Sequence, residues 1–270
     1  MDVRAFLFQP LSGNSYTAEL SATESGILAG AAYARSRAAE IGLHLEMFLP
    51  DGEKLTAGTS VIRLRGTAEQ IARGEEELLA CVGKPSGVAT AAARFCALAR
   101  GGILITCGAW KKVLPEVRRA LREAIAIGGA GIRLVNEPFV YLDKNTVRMF
   151  ADISSAVRTA GRIEGRTVAV QLRGDTGPIA EDARKAFAAG AGVLMVDTGN
   201  IEDLRAVCAT ACNEGFRDRI RIAFSGGVTE ATLEEIIAAG ADIVDVGRAI
   251  IDAPLLDFRL DVTARHRTSS

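Results

Sequence analysis

The sequence predicts an α/β protein, with an irregular α+β module first and a run of βα units after it. Three observations carry this. From Gly102 onward, short apolar runs recur about every 25 residues with helical stretches between them, the rhythm of right-handed βαβ units on a parallel sheet. Several of those runs end on small residues, above all Ser225, Gly226, Gly227 and Gly247. Before about residue 70, strand-like and helix-like runs follow no such alternation. Roughly six βα units in about 150 residues fit a short barrel better than an eight-fold one, with an open doubly wound sheet as the competing topology.

In chain order, residues 17–21 and 25–28 read as short strands, and 29–41 has helical spacing that stops at Gly42. Residues 44–48 return as a strand. Asp51-Gly52 and Ala57-Gly58 are turn signals. In 60–66, Val61, Arg63 and Arg65 alternate against Ile62 and Leu64, the period of a strand. Residues 67–81 are helical. The run from Gly83 to Gly87 should interrupt that helix, because Pro85 removes an N–H donor; 88–99 then resumes it. The second region has strands at 103–106, 139–142, 167–172, 193–196, 219–224 and 243–246. Helices are expected at 116–127, 145–159, 178–189 and 201–213, and after Thr229, which can cap one ending at Gly240. Residues 255–262 alternate again and can return as a strand to the first module, leaving 263–270 as a frayed tail. The expected division is 1–100 joined by the tail 256–270, and 101–255.

The chain has 270 residues, 49% of them hydrophobic and 24% charged, as in an ordinary water-soluble domain with a sizeable core. A net charge of -1 and 5% aromatics give no reason to expect nucleic acid as a partner. No signal peptide or 18-residue apolar run stands out, so a cytoplasmic protein without a membrane partner is expected. The five cysteines (81, 96, 107, 208 and 212) form no C-x-x-C pair and read as reduced, mostly buried thiols. The two histidines, His44 and His266, are not placed for catalysis.

Chemistry in such a barrel gathers where strands end. Backbone N–H groups at a glycine-rich turn and a helix N-terminus hold anions well, so Ser225, Gly226, Gly227 and Gly247 are expected to cradle a phosphate. A tight barrel turn with no ligand is the alternative. Lys111 and Lys112 follow the first strand, where a lysine pair can hold an acidic group or merely open a solvated helix. Arg133 and Lys144 are further cations at strand ends, each otherwise an ordinary surface charge. Gln171 is a polar residue near a strand end. Asp197 closes the run VLMV and can serve as a Mg²⁺ ligand or as a helix cap.

The pieces SGILAGAAYA, DGEKLTAGTSVIRLRGTAEQIARGEE, KPSGVATAAARF, MVDTGN, AFSGGVT, ADIVDVGRAI and LDFRLDV, in this order, resemble the quinolinate phosphoribosyltransferases over nearly the whole chain. This family is also called the carboxylating nicotinate-nucleotide pyrophosphorylases. The resemblance implies an N-terminal α/β sandwich and a six- or seven-stranded incomplete α/β barrel. It implies a homodimer or higher homo-oligomer whose sites are completed by the partner. It also implies transfer of a phosphoribosyl group from phosphoribosyl pyrophosphate to a pyridine dicarboxylate, with Mg²⁺ and loss of CO₂. Lys112, Lys144 and Asp197 are then catalytic, with Asp197 on the metal; Lys111, Arg133 and Gln171 bind substrate; and the Ser225 turn with Gly247 takes the 5-phosphate.

Departures cluster on the dicarboxylate side. A family Arg that reaches the partner's site falls on Glu76. Thr-Arg-Lys-Thr becomes Trp110, Lys111, Lys112 and Val113, without the bidentate Arg fork. A His-Arg pair falls on Arg133 and Leu134, and a Glu falls on or beside Gln171. Losing two or three cations removes several kcal/mol, at roughly 1.5–3 kcal/mol per charged hydrogen bond. The sequence therefore predicts an aromatic or heterocyclic acceptor other than ordinary quinolinate. A catalytically degenerate homologue binding a phosphorylated ligand or partner, and a molybdenum-transport-associated paralogue, are the alternatives.

Overall fold

The computed structural model describes residues 3–175 and 177–267, which fall into two compact units. One unit holds the chain up to Ala93, Leu114–Gly129, and the chain from Asp252 on. It begins with α1 (Val3–Phe8), β1 (Asn14–Ala22), β2 (Gly26–Ile27), α2 (Ala31–Ile41), β3 (His44–Phe48), β4 (Lys54–Leu55) and β5 (Ser60–Gly66). Helix α3 (Ala68–Leu98) follows and belongs here up to Ala93, as does α4 (Arg118–Ile127). The closing strand β12 (Phe258–Arg267) lies antiparallel to β1, giving the four-stranded order β12-β1-β5-β3. Leu20, Ile62 and Leu64 from β1 and β5 and Leu78 and Val82 from α3 are fully buried in its core; Val61, expected on the outer face with Arg63 and Arg65, is fully buried as well.

Two expectations fail here for stated reasons. Strand β12 continues through residues 263–267 rather than fraying, because Asn14–Thr17 give it pairing partners to the end; 268–270 lie outside the described residues. Helix α3 is one element of 31 residues despite Pro85. Pro85 cannot donate to the carbonyl of Cys81 four residues back. Gly30 packs on that carbonyl, and a Cβ there would stand 2.1 Å from the Cys81 oxygen. The neighbouring polar groups fasten the same loop. Ser86 Oγ, fully buried, accepts from Ala29 N–H at 2.9 Å, and Thr90 Oγ1 accepts from Ile27 N–H at 2.9 Å. The KPSGVAT run thus serves as a packing device.

The second unit comprises Arg94–Val113 and Ala130–Ile251. Its strands are β6 (Leu104–Thr106), β7 (Phe139–Leu142), β8 (Thr167–Leu172), β9 (Val193–Val196), β10 (Arg221–Ser225) and β11 (Ile243–Asp245). Between and after them run α5 (Lys144–Met149), α6 (Ile153–Ala160), α7 (Ile179–Ala188), α8 (Ile201–Asn213), α9 (Glu230–Ala238) and α10 (Arg248–Ile251). All pairings are parallel, in the order β6-β11-β10-β9-β8-β7. The edges of a flat six-stranded sheet would lie about 24 Å apart. Here Leu104 on β6 and Phe139 on β7 pack on the same cluster, with Ala169, Val193, Met195, Ala223 and Ile243 between them. The sheet is therefore rolled around one interior. Beyond β6, Gly131 donates to Ile105 O and accepts from Cys107 N–H, each at 2.8 Å, as the stub of a further strand.

The single helix expected over 145–159 is two. Asp143 caps α5 by accepting from Thr146 N–H, and Asp152 caps α6 by accepting from Ser155 N–H. Ala151 between them takes a left-handed turn, with φ of 64°. Two caps nine residues apart outweigh a continuous helical spacing. Strand β10 starts at Arg221, because Arg217–Arg219 form a 3-10 turn.

Candidate active site

The C-terminal ends of all six strands open on one cavity of about 500 Å³. From β6 and the 3-10 turn after it come Gly108, Lys111 and Lys112; from β7 come Asp143 and Lys144; from β8, Gln171 and Arg173. Asp197 stands after β9, Ser225, Gly226 and Gly227 after β10, and Asp245 and Gly247 at β11. Nine residues singled out in the sequence, scattered over 137 positions from Lys111 to Gly247, thus share one space. Arg133 instead lines a second cavity of about 580 Å³, with Trp110, Leu134, Phe139 and Arg166. Gly108, Lys111, Tyr141, Met195 and Asp245 line both cavities.

The turn after β10 is shaped by its neighbour. Gly226 has a φ of 109°, and a Cβ on it would lie 2.7 Å from Gly199 N, so the loop after β9 alone demands glycine there. Gly227 also has a positive φ, of 66°, yet a Cβ on it would meet nothing within 4 Å. It is therefore the glycine that faces open cavity. Among the described residues, the N–H groups of Gly226 and Gly227 meet no protein acceptor. Helix α9 starts just beyond, with Thr229 capping it and its positive end turned to the same turn. This arrangement can receive an anion. A Cβ on Gly247 would approach only Ala109 Cβ, at 3.8 Å, while its carbonyl accepts from Ile250 and Ile251 N–H.

On the opposite side the polar groups are wired together. Gln171 Oε1 accepts from Lys144 N–H at 2.7 Å, and Gln171 Nε2 donates to Asp197 Oδ2. Arg173 Nη1 donates to Asp197 O at 2.6 Å and lies 3.3 Å from Oδ2. The Nζ atoms of Lys112 and Lys144 pair with no carboxylate among the described residues. Lys111 Nζ lies 5.9 Å from the centre of the Tyr141 ring.

Asp245 sits on the common floor of both cavities. Its Oδ1 accepts from Gly108 N–H at 2.7 Å and Thr106 Oγ1 at 3.1 Å, and Ser225 Oγ lies 3.5 Å from Oδ2. Burial raises its pKa above the usual carboxylate range; the Gly108 and Thr106 donors and Lys111 oppose this, and Asp197 adds to it. Burial likewise raises the Tyr141 hydroxyl and pushes the Cys107 thiol up to about 12, so neither is an anion at neutral pH. Only Cys107 of the five cysteines is buried; Cys212 is exposed and the others half-buried, all as free thiols.

Mg²⁺ takes hard oxygen ligands and often few from protein. Each carboxylate on this cavity already has a protein partner: Asp143 holds Thr146, Asp197 holds Gln171 and Arg173, and Asp245 holds Gly108 and Thr106. The Gln171 carbonyl is spent on Lys144 N–H. A guanidinium beside the one expected ligand puts fixed positive charge where a dication would come. Among the described residues no group of three or more His, Cys, Asp or Glu side chains could hold a metal. The set does not suit the Mg²⁺ expected at Asp197.

Three residues of this site had weaker signals in sequence. Arg173 stands two positions after Gln171, on the same face of a strand end. Asp245 is a lone charge in the apolar run IVDV, which is itself a signal because carboxylates are rarely placed in such strands without a reason. Tyr141 is indistinguishable from core in FVYL. Glu76 belongs to the other unit, where Arg4 pairs with it at 2.5 Å.

Comparison with known proteins identifies the family and the fold. The quinolinate phosphoribosyl transferase C-terminal domain model matches residues 88–261, and the N-terminal domain model matches residues 6–86. A probable carboxylating nicotinate-nucleotide pyrophosphorylase of Methanothermobacter thermautotrophicus is 26% identical over 254 residues, covering 93% of this chain and 89% of the relative. The human carboxylating nicotinate-nucleotide pyrophosphorylase is 28% identical over 250 residues, covering 92% and 82%. The solved nicotinate-nucleotide pyrophosphorylase of Francisella tularensis shares the fold, with a TM-score of 0.81 at 22% identity over 96% of this chain and 90% of that one. No described helix is long and apolar enough to cross a membrane. With both domain models matched in order along almost its full length, the chain belongs to the quinolinate phosphoribosyl transferase family, and so to the pentosyltransferase enzymes.

Proposed function

We propose that this chain transfers a phosphoribosyl group from phosphoribosyl pyrophosphate to an aromatic or heterocyclic acceptor other than ordinary quinolinate. The observation that carries the reading is the pair of cavities on one floor, one offering main-chain donors and lysines, the other aromatic and aliphatic walls with Arg133 and Arg166 among them. In this reading Gly226, Gly227 and Gly247 receive the 5-phosphate, with the Ser225 hydroxyl beside them. Lys112, Lys144 and Arg173 face the pyrophosphate, and the acceptor ring lies against Tyr141, Phe139 and Trp110. The C–O bond at the ribose anomeric carbon breaks, its electron pair leaves with pyrophosphate, and a ring-nitrogen lone pair closes the new C–N bond. The protein's part is to hold the two reactants in line and to stabilise charge.

The acceptor side explains the exclusion of quinolinate. Leu134 is buried where the family resemblance implies an Arg, and Arg133 and Arg166 are exposed to solvent. Asp245 on the shared floor repels a ring carboxylate, while Lys111, Arg133 and Arg166 line the same side. A product assay with phosphoribosyl pyrophosphate plus quinolinate or nicotinate tests this: donor binding without nicotinate mononucleotide from either acid is expected. Turnover of quinolinate at the rate of an ordinary family member would refute the altered acceptor. We also propose a homodimer or higher homo-oligomer, as the family resemblance implies; a single monomer species in sedimentation equilibrium would contradict it.

A further inference from the structure

We infer that Arg173, with Lys112 and Lys144, takes the place of a protein-bound metal ion in neutralising the pyrophosphate of the donor. The inference rests on the phosphoribosyltransferase reading above. Transfer leaves negative charge on the departing pyrophosphate, so something cationic must meet it as the C–O bond breaks. Three features on this chain supply that from side chains. Arg173 lies at the C-terminal end of β8, exposed on the cavity, and is held by two contacts to Asp197: the carbonyl oxygen at 2.6 Å and Oδ2 at 3.3 Å. Both contacts use Nη1, so the planar fork keeps other N–H groups to offer phosphate oxygens. Gln171, pinned by Lys144 N–H and Asp197, cannot turn a carbonyl to a metal without breaking the Lys144 contact. Asp197 then acts as the anchor that orients Arg173, a positioning residue rather than a ligand. Lys112 and Lys144 complete a cationic arc on the same cavity. A guanidinium is always charged and holds phosphate in two-point fashion, which a lone ammonium does not.

The test is the binding of inorganic pyrophosphate, and separately of phosphoribosyl pyrophosphate, to the full chain by isothermal titration. Each is measured once with a chelator and once with excess Mg²⁺. Affinities within about threefold of one another in the two conditions are expected. Arg173→Ala should weaken binding in chelator by roughly 10-fold or more, the scale of one charged hydrogen bond. Arg173→Lys should recover part of that loss. The double variant Q171E with Arg173→Ala should bind Mn²⁺, read by its electron paramagnetic resonance signal, and should hold pyrophosphate only with metal. Wild-type binding that appears only with Mg²⁺ would overturn this inference and leave the transferase reading standing. So would Mn²⁺ bound by the wild type and lost in Asp197→Asn. Binding of neither ligand in either condition would overturn both.

Discussion

The cavity over Gly226 and Gly227 is walled by main chain, long cations and three carboxylates, whereas its neighbour over Phe139 sets rings and aliphatic side chains beside Lys111, Arg133 and Arg166. The two meet over Asp245, Tyr141 and Met195 and yet differ in chemistry. What separates them is the source of their polar groups. Main-chain N–H groups at a turn survive almost any side-chain change, provided the glycines stay. The acceptor side depends on individual side chains, and substitution of Arg133, Leu134 or Trp110 alters it without disturbing a strand.

The sharpest way to break this contrast is at the turn. Gly227→Asp places a carboxylate in the open cavity at a φ that Asp tolerates. It should weaken phosphoribosyl pyrophosphate binding by about 100-fold or more through like-charge repulsion, with an unchanged melting temperature. Gly226→Ala should do the reverse, losing about 2–4 kcal/mol of stability in denaturant titration because its methyl meets Gly199 at a strained φ. If the two variants behave alike, the division of labour between these glycines is wrong.

The acceptor side can be sharpened by restoring what the family resemblance implies. Arg133→His together with Leu134→Arg should raise quinolinate affinity by roughly 10-fold, while phosphoribosyl pyrophosphate affinity stays put. Titration calorimetry of each ligand reads both. A smaller effect is expected from Asp245→Asn. The folded-state pKa of Asp245 is raised, so the unfolded chain gives up its proton first as pH climbs. Wild-type stability therefore falls as pH rises from the unfolded to the folded pKa, and the charged form stays costly above it. Asp245→Asn should melt higher than wild type at neutral pH and no higher in acid, since Asn Oδ1 can still accept from Gly108. Smallest of all, Gly247→Ala should change stability by less than about 1 kcal/mol, because its new methyl would meet only Ala109 at van der Waals distance.

Much of this was legible in the sequence because period and turn chemistry are local. Strands β3, β5, β7, β8 and β9 lie where alternation or apolar runs predict them, as does helix α8. The tight turn after β10 was legible for the same reason, since SGGV announces its backbone needs in the positive φ of Gly226 and Gly227. What was not legible required three dimensions. That Gly30 must lack a side chain depends on the Cys81 carbonyl, 51 positions later, lying against it. That Asp197 anchors a guanidinium depends on β8 and β9 being neighbours. Arg173 reads in sequence as a strand-end surface cation, because its partner lies 24 residues on.

The account stands on the claim that the donor site is kept while the quinolinate side is not. The most direct measurement follows pyrophosphate release from saturating phosphoribosyl pyrophosphate as quinolinate is titrated in, with Trp110, the only tryptophan in the chain and a wall of the acceptor cavity, as fluorescence reporter. The account predicts that the donor binds, that pyrophosphate release does not rise with quinolinate, and that Trp110 emission stays constant. Saturable, quinolinate-dependent release accompanied by a shift in Trp110 emission would contradict it.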